Sequence, residues 1–243
     1  MKNNFVEYAK FYDQFNVGKD YATEVLYIDS LIKKFKPDAQ KILDISCGTG
    51  LHDIELAKLK YDVVGIDISN EMIEIAKTKS KDSNLNVNFY FDSEKNFNLN
   101  YKFDVVVSLF HVTSYQTNDE SLVKFFDLAY NNLKSGGIFI FDYWFSPAVH
   151  FLKLEERTKS VIADGKSIQK RSKPTIISSN LFNVDITISL EDYELTESHL
   201  MRSFVSQDFS QITNFESIDS FAWLTEQNPN STNWTAVSII QKK

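Results

Sequence analysis

The chain has 243 residues, 43% of them hydrophobic, 14% aromatic and 24% charged, with a formal net charge of −7. That composition excludes a disordered chain and supplies enough apolar side chains for a sizeable core. The acidic balance, a sequence pI near 5.2 and the lack of a dense Lys/Arg block argue against nucleic acid or an anionic membrane as a partner.

A single cysteine, Cys47, precludes an intramolecular disulfide and fits a reducing, cytoplasmic setting. The opening "MKNNFVEYAK" lacks the apolar core of a signal peptide, and no apolar run approaches the ~20 residues of a membrane helix. The best candidate for a basic patch, "KSIQKRSKP" at Lys166–Pro174, reads as a solvated face.

In chain order, "FVEYAKFYDQF" sets Phe5, Tyr8, Phe11, Tyr12 and Phe15 at helical spacing, which predicts a helix packed on the core. Strands follow at Lys41–Ser46, Asp62–Ile68, Asn86–Phe91, Phe103–Phe110 and Gly137–Phe145. Most are nearly continuous apolar runs, the pattern of parallel strands buried on both faces. Helices are predicted between them: "LHDIELAKL", then "SNEMIEIAKTKS" with Ser69 or Asn70 as N-cap, then "NDESLVKFFDLAYNNL" ending before Gly136-Gly137. Strand and helix in alternation imply right-handed crossovers and a doubly wound α/β sheet.

From about Phe151 to Arg202 the texture changes to β-branched alternation, as in "TIISSNLFNVDITISL", which reads as a small antiparallel sheet inserted before the last core elements. "SQDFSQITNF" reads as a short helix and "NWTAVSIIQKK" as a final strand. The expected division is 1–150 for the ligand-binding core with its N-terminal segment, 151–203 for the insertion and 204–243 for the closing helix and strand.

Between the first strand and the following helix lies "DISCGTG", Asp44–Gly50. In open α/β sheets such a corner sits on the ligand side, and its glycines let the backbone turn tightly and approach a ligand. A phosphate-binding P-loop fails because no lysine follows. A dinucleotide loop is disfavoured because its third glycine or alanine falls at Asp53, where a charge would oppose both helix packing and a pyrophosphate.

"LDISCGTG" resembles the first motif of the class I S-adenosylmethionine (SAM)-dependent methyltransferases. The remaining motifs follow in order: Asp67 in "VVGIDIS", Asp92 in "FYFDS", then "FDVVVSLF" and "LKSGGIFIFD". The resemblance spans roughly residues 3–145. It implies a mostly parallel, seven-stranded Rossmann-like sheet, SAM as cofactor and S-adenosylhomocysteine (SAH) as product. By the same resemblance, Gly48 and Gly50 form the cofactor loop, Asp44 anchors the methionine ammonium and Asp92 reads the adenine amino group. Asp67 is suited to accept both hydrogen bonds of a ribose diol. Ile68, Met72 and Ser108 complete the expected cofactor contacts, with Tyr12 and Tyr21 on the N-terminal cap.

The chain further resembles the sugar N-methyltransferases that act on nucleotide-linked 3-amino sugars. "FYDQFNVGKDYATEV" supplies Tyr12, Asp13, Lys19, Asp20, Tyr21 and Glu24 of their opening pattern, and "ESHLMRSF" (Glu197–Phe204) is similar to a stretch leading into a helix. It departs from them in placing Tyr115 where they carry a histidine, and in ending its fifth strand "FDYWF". The expected function is N-methylation of a small amine such as a nucleotide-linked amino sugar. The alternatives are another small-metabolite acceptor, through nitrogen or oxygen, and a non-catalytic SAM-binding module. Direct displacement at an activated donor needs alignment and a route for a proton. The candidates for that proton are Asp142, His111 and Tyr115, with Tyr143, Trp144, His199 and Arg202 expected on the substrate. Lys19, Arg157, Lys170, Arg171 and Arg202 are possible sources of positive charge for an anionic nucleotide. Cys47 reads as a small loop residue, and His52 and His150 as structural or exposed. No ligand-spaced cluster suggests a metal, and a monomer or homodimer is expected.

Overall fold

The computed structural model describes residues 9–83, 85, 87–92, 97–163, 166–191, 193–210 and 214–243. Phe5 and Tyr8 of the N-terminal helical face therefore lie outside the described residues, as does Asn86 at the start of the third predicted strand.

Two helices come first, α1 (Ala9–Phe15) and α2 (Tyr21–Phe35). The strands β1 (Lys41–Ile45), β2 (Asp62–Asp67), β3 (Asn88–Phe91), β4 (Phe103–Ser108) and β5 (Leu133–Trp144) then alternate with α3 (Leu51–Lys58), α4 (Asn70–Asp82) and α5 (Asp119–Asn132). Side chains start these helices where the sequence places cap residues. Asp20 accepts the Thr23 N–H, Ser69 the Met72 N–H and Asn118 the Ser121 N–H, each satisfying an otherwise orphaned donor.

The five strands pair in parallel in the order β5-β4-β1-β2-β3. The chain leaves β3 at one edge and returns beside β1 as β4, so the switch point falls between β1 and β4. Two later strands, β10 (Phe215–Ala222) and β11 (Thr235–Lys242), add antiparallel pairings beyond β5 and complete seven.

Burial on both faces explains the apolar runs. Leu43 and Ile45 of β1, Val106 of β4 and Phe139 and Phe141 of β5 pack with Phe125, Phe126 and Ala129 of α5. The alternate positions Ile42, Val105, Val107, Ile138 and Ile140 pack on the other face with Ile28 and Ile32 of α2, Leu56 of α3 and Ile73 of α4. Parity along a strand therefore decides which layer a side chain enters.

After a short helix, α6 (Ser146–Leu152), the expected insertion forms a four-stranded antiparallel sheet. Its strands are β6 (Arg157–Ala163), β7 (Lys166–Ile176), β8 (Leu181–Ser189) and β9 (Glu194–Arg202), paired in sequence order. Helix α1 bridges to it: Phe15 packs on Ile168 and Ile188, and Lys159 donates to the Phe15 carbonyl at 2.6 Å.

Three elements differ from the sequence reading. Helix α2 carries no expectation of its own. The chain enters β5 at Leu133, so Gly136 (φ 72) and Gly137 lie inside the strand rather than ending α5; a Cβ at Gly137 would meet the Asp104 carbonyl oxygen at 3.0 Å. Of the helix expected at 206–215, α7 (Gln207–Ser210) is described and residues 211–213 lie outside the described residues, while Phe215 opens β10, whose polar residues at an edge position hid it. Among the described residues no helix is long and apolar enough to cross a membrane.

Phe126 joins the layers, its ring centroid 5.0 Å from Phe141, 5.6 Å from both Phe139 and Phe209, and 6.3 Å from Phe215. Phe126→Ala is expected to cost about 3–5 kcal/mol, measured as a lower urea midpoint at unchanged slope.

Candidate active site

The loop leaving β1 turns back through three left-handed residues: Ser46 (φ 64), Gly48 (φ 56) and Gly50 (φ 74). Glycine at 50 is required twice, because a Cβ there would also stand 2.5 Å from the Phe89 ring. At Gly48 a Cβ would meet nothing within 4 Å, so the loop presents that position to open space. Two bonds to the end of β2 hold the loop. Cys47 N–H donates to the Ile66 carbonyl at 2.9 Å, and Gly48 N–H donates to Asp67 Oδ2 at 2.8 Å. The other Asp67 oxygen accepts Ser69 N–H at 2.8 Å. Burial raises the Asp67 pKa, opposed by these backbone donors.

Around this clamp stand the other expected cofactor residues. Asp44 is buried, and its Oδ1 has no hydrogen-bond partner. Burial, then the charge of Asp53, hold its carboxyl well above the usual range. Asp92 is half-buried, its N–H donating to the Asp67 carbonyl at 3.0 Å. Ile68 is exposed after β2, and Met72 is buried in the first turn of α4. Cys47 is buried with its pKa raised, first by burial, then by Asp53, the reverse of an activated thiolate.

The N-terminal helices close over the loop. Asp13 accepts from the Thr49 hydroxyl at 2.8 Å and pairs with Lys79 of α4 at 2.5 Å. The Tyr12 ring meets Phe110 edge-on at 6.5 Å, and Tyr21 meets His52 at 4.8 Å. Lys19 lies over Phe110 at 4.3 Å and over Tyr21 at 5.0 Å, and it pairs with Glu24, which also bonds His52 Nε2 at 2.8 Å. Burial lowers the His52 pKa, partly offset by Glu24. His52 is thus a buried structural residue of α3 that meets the cap, while His150 is exposed.

After β4, Phe110 (φ 68) and His111 (φ 67) are consecutive left-handed residues without glycine, a strain of about 1–3 kcal/mol each that concentrates at functional sites. Asp142 offsets it by accepting the His111 N–H at 2.8 Å, and His111 Nε2 bonds the Thr235 hydroxyl at 2.8 Å. Burial raises Asp142 to about 7 and, with the Lys19 charge, lowers His111 to about 4. At neutral pH His111 is therefore neutral, while Asp142 titrates.

Tyr115 ends a 3₁₀ turn after β4, and its hydroxyl lies 3.1 Å from Nδ1 of His199 on β9. The Glu197 carboxylate stands 3.4 Å from the His199 Nε2. Two residues expected separately, one from the core and one from the insertion, thus form a pair across 84 positions. Trp144 lies 6.4 Å from the His111 ring and 5.4 Å from Trp234.

Three candidates have surroundings the sequence reading did not anticipate. Tyr143 shares the parity of Phe139 and Phe141, so its side chain points into the aromatic core; its hydroxyl bonds Ser238 at 3.0 Å and Ser220 at 3.2 Å, which leaves no substrate contact. Ser108 is buried and its hydroxyl donates to the Ile45 carbonyl at 2.8 Å, joining β4 to β1. Arg202 pairs with Asp119 at 2.7 Å and lies over Phe204, so its charge is already engaged within the protein. The sequence reading missed Thr235, Thr49 and the carboxyl of Asp53 as members of the site; only Asp53 left a signal, as the residue that spoiled a dinucleotide loop.

Residues 42–137 match the family model described as a methyltransferase domain. The chain is 32% identical over 144 residues to dTDP-3-amino-3,4,6-trideoxy-alpha-D-glucopyranose N,N-dimethyltransferase of Streptomyces venezuelae, covering 58% of this chain and 59% of that relative. It is 30% identical over 145 residues to dTDP-3-amino-3,6-dideoxy-alpha-D-glucopyranose N,N-dimethyltransferase of Streptomyces fradiae, covering 57% and 54%. The chain thus spans less than two thirds of the length of these curated relatives. Among solved structures, it superposes on a SAM-dependent methyltransferase from Clostridium acetobutylicum with a TM-score of 0.82 at 20% identity, covering 99% of each chain. The Streptomyces venezuelae DesVI structure gives 0.79 at 21% identity, covering 98% of this chain and 99% of the other. The fold is that of these methyltransferases.

Folded, Asp142 keeps its proton to about pH 7; unfolded, it loses it near the ordinary 3.8. Its contribution to stability is therefore full below the unfolded value and is lost as pH rises through the folded one. Asp142→Asn, which keeps an acceptor for His111 N–H, is expected to be more stable than the parent at about pH 8. That advantage should vanish as the pH falls to about 4, measured by paired thermal melts across pH.

Proposed function

We propose that this chain, with a methyltransferase domain over residues 42–137 and the fold of the SAM-dependent methyltransferases, transfers a methyl group from SAM to the amine of a nucleotide-linked sugar. The observation that carries the reading is the Asp67-tied glycine loop beside the unpartnered buried oxygen of Asp44. An orphaned buried carboxyl oxygen is costly unless a donor meets it, and the ammonium of the cofactor's amino-acid part has the matching charge.

Asp44 would hold that ammonium, and Asp67 the ribose hydroxyls through lone pairs its two backbone donors leave free. Asp92 stands next along the same edge for the adenine, with Ile68 and Met72 beside it. When bound, SAM supplies a methyl group on a positively charged sulfur, already activated for displacement.

The protein's part is alignment, exclusion of water and custody of one proton. Tyr12, Tyr21 and the Lys19–Glu24–His52 group cover the loop, and α1 links that cover to the inserted sheet. An amine attacks only when unprotonated. The Tyr115–His199 pair and Asp142 are the groups able to take its proton. The amino-sugar acceptor rests on the names of the curated relatives, which are dTDP-amino-sugar N,N-dimethyltransferases.

SAH is expected to raise the melting temperature and NAD to leave it unchanged, with Asp67→Ala weakening SAH binding about tenfold or more, as loss of a charged hydrogen-bond partner predicts. Methyl transfer to a dTDP-linked 3-amino sugar should be detectable by mass spectrometry, and His199→Ala should lower kcat about 100-fold. Stabilisation by NAD and not by SAH would contradict the reading.

A further inference from the structure

Asp53, in the first turn of α3, is completely buried, and its carboxyl oxygens meet no hydrogen-bond partner other than the carboxyl of Asp44. Gly65 of β2 makes room for it. A Cβ built at Gly65 would stand 2.8 Å from Asp53 Oδ1 and 2.8 Å from Cys47 Sγ, so the carboxyl fills the space a side chain there would take. Gly65 is the register partner of Asp44 on β1, and in a parallel pair such partners face the same side of the sheet. The carboxyl of Asp53 is thereby set beside that of Asp44, whose Oδ1 is unpartnered.

Among the described residues none pairs a positive charge with these two carboxyls. The groups acting on it are Asp67 at the end of β2, Asp142 on β5 and the buried thiol of Cys47. Among the described residues no lysine or arginine forms an ion pair with Asp44, Asp53 or Asp67; the nearby Lys19 and Lys79 are engaged by Glu24 and Asp13. Two adjacent buried carboxyls without a cation cannot both be ionised. Burial raises Asp53 to about 7 and Asp44 well above its ordinary value, so near neutrality the pair retains at least one proton.

We propose that Asp44 and Asp53 form a proton-holding acid pair, and that an ammonium group arriving at Asp44 displaces a proton from the pair to solvent, so that Asp53 sets cofactor affinity as a positioning residue acting through Asp44. The inference rests on the SAM-binding reading. The step balances: one carboxyl O–H bond breaks, its proton leaves to buffer, and the negative charge gained meets the charge of the ammonium. The bound state holds fewer protons than the free one, so affinity rises with pH across the range in which the pair titrates, by at most about tenfold per pH unit for one proton. His111 lies outside the effect because burial keeps it neutral.

The test is calorimetric titration of the full chain with SAH at about pH 6.5 in two buffers of different ionisation enthalpy. The expected result is release of about 0.5–1 proton per SAH bound, with affinity rising about 3–10-fold between about pH 6 and 7. Asp53→Asn keeps the size and lets the amide donate to Asp44. It should release less than half as many protons and bind SAH more tightly than the parent at about pH 6, a gain that simple loss of structure would not produce. SAH binding by the parent without proton release overturns the inference, as does equal release by Asp53→Asn. Should Asp53→Asn fail to fold, Asp53→Leu serves in its place, and the two-buffer measurement on the parent stands alone. Failure of SAH to bind at every pH takes down the SAM-binding reading itself, and this inference with it.

Discussion

The hydrogen bond from the Gly48 N–H to the Asp67 carboxylate, with its neighbour from the Cys47 N–H to the Ile66 carbonyl, ties the loop after β1 to the end of β2. Everything on the ligand edge depends on that tie. The loop passes through left-handed backbone at Ser46, Gly48 and Gly50, with Phe89 packed so closely beneath Gly50 that no side chain fits. A free loop would relax out of this conformation, since positive φ at Ser46 is unfavourable. The clamp makes the carboxyl end of β1 a fixed platform, at the switch point where a doubly wound sheet opens a crevice. Asp67 thus serves structure with two backbone donors and retains lone pairs for a ligand.

The rest of the site is assembled onto that platform by elements distant in sequence. Asp13 of α1 holds Thr49 in the loop and Lys79 on α4, while Phe15, two residues on, is seated on the inserted sheet. Tyr115 reaches His199 on the same insertion. The core and the insertion are therefore coupled both through α1 and through this pair. Burial explains the displaced titrations: Asp142 near 7 and His111 near 4 are consequences of desolvation before they are consequences of chemistry.

How much of this the sequence disclosed follows from the range of each interaction. Strands covered on both faces write continuous apolar runs, and capping side chains stand beside the helices they start, so β1, β2, β4 and the N-cap at Ser69 were legible locally. Strand β10 was not, because "FESIDSFA" is polar and lies at the sheet edge, where one strand neighbour suffices. Tyr143 misled because its position near the end of β5 suggested a ligand contact, whereas parity with Phe139 and Phe141 turns it into the core. The link between Tyr115 and His199 has no local signature at all, being made by the fold of the insertion. Asp53 was visible only as an anomaly: a carboxylate where a dinucleotide loop needs a small residue, now seen to fill the space left by Gly65.

The central claim is that the ledge formed by Asp44, Gly48 and Asp67 receives the cofactor, amino-acid end inward. A crystal structure of the chain with SAH tests it most directly. The account predicts the ligand's ammonium within hydrogen-bond distance of the Asp44 carboxyl, its ribose hydroxyls on Asp67, and the Gly48–Asp67 bond preserved. A ligand bound elsewhere on the chain, or lying over the loop with its ammonium directed away from Asp44, would contradict it.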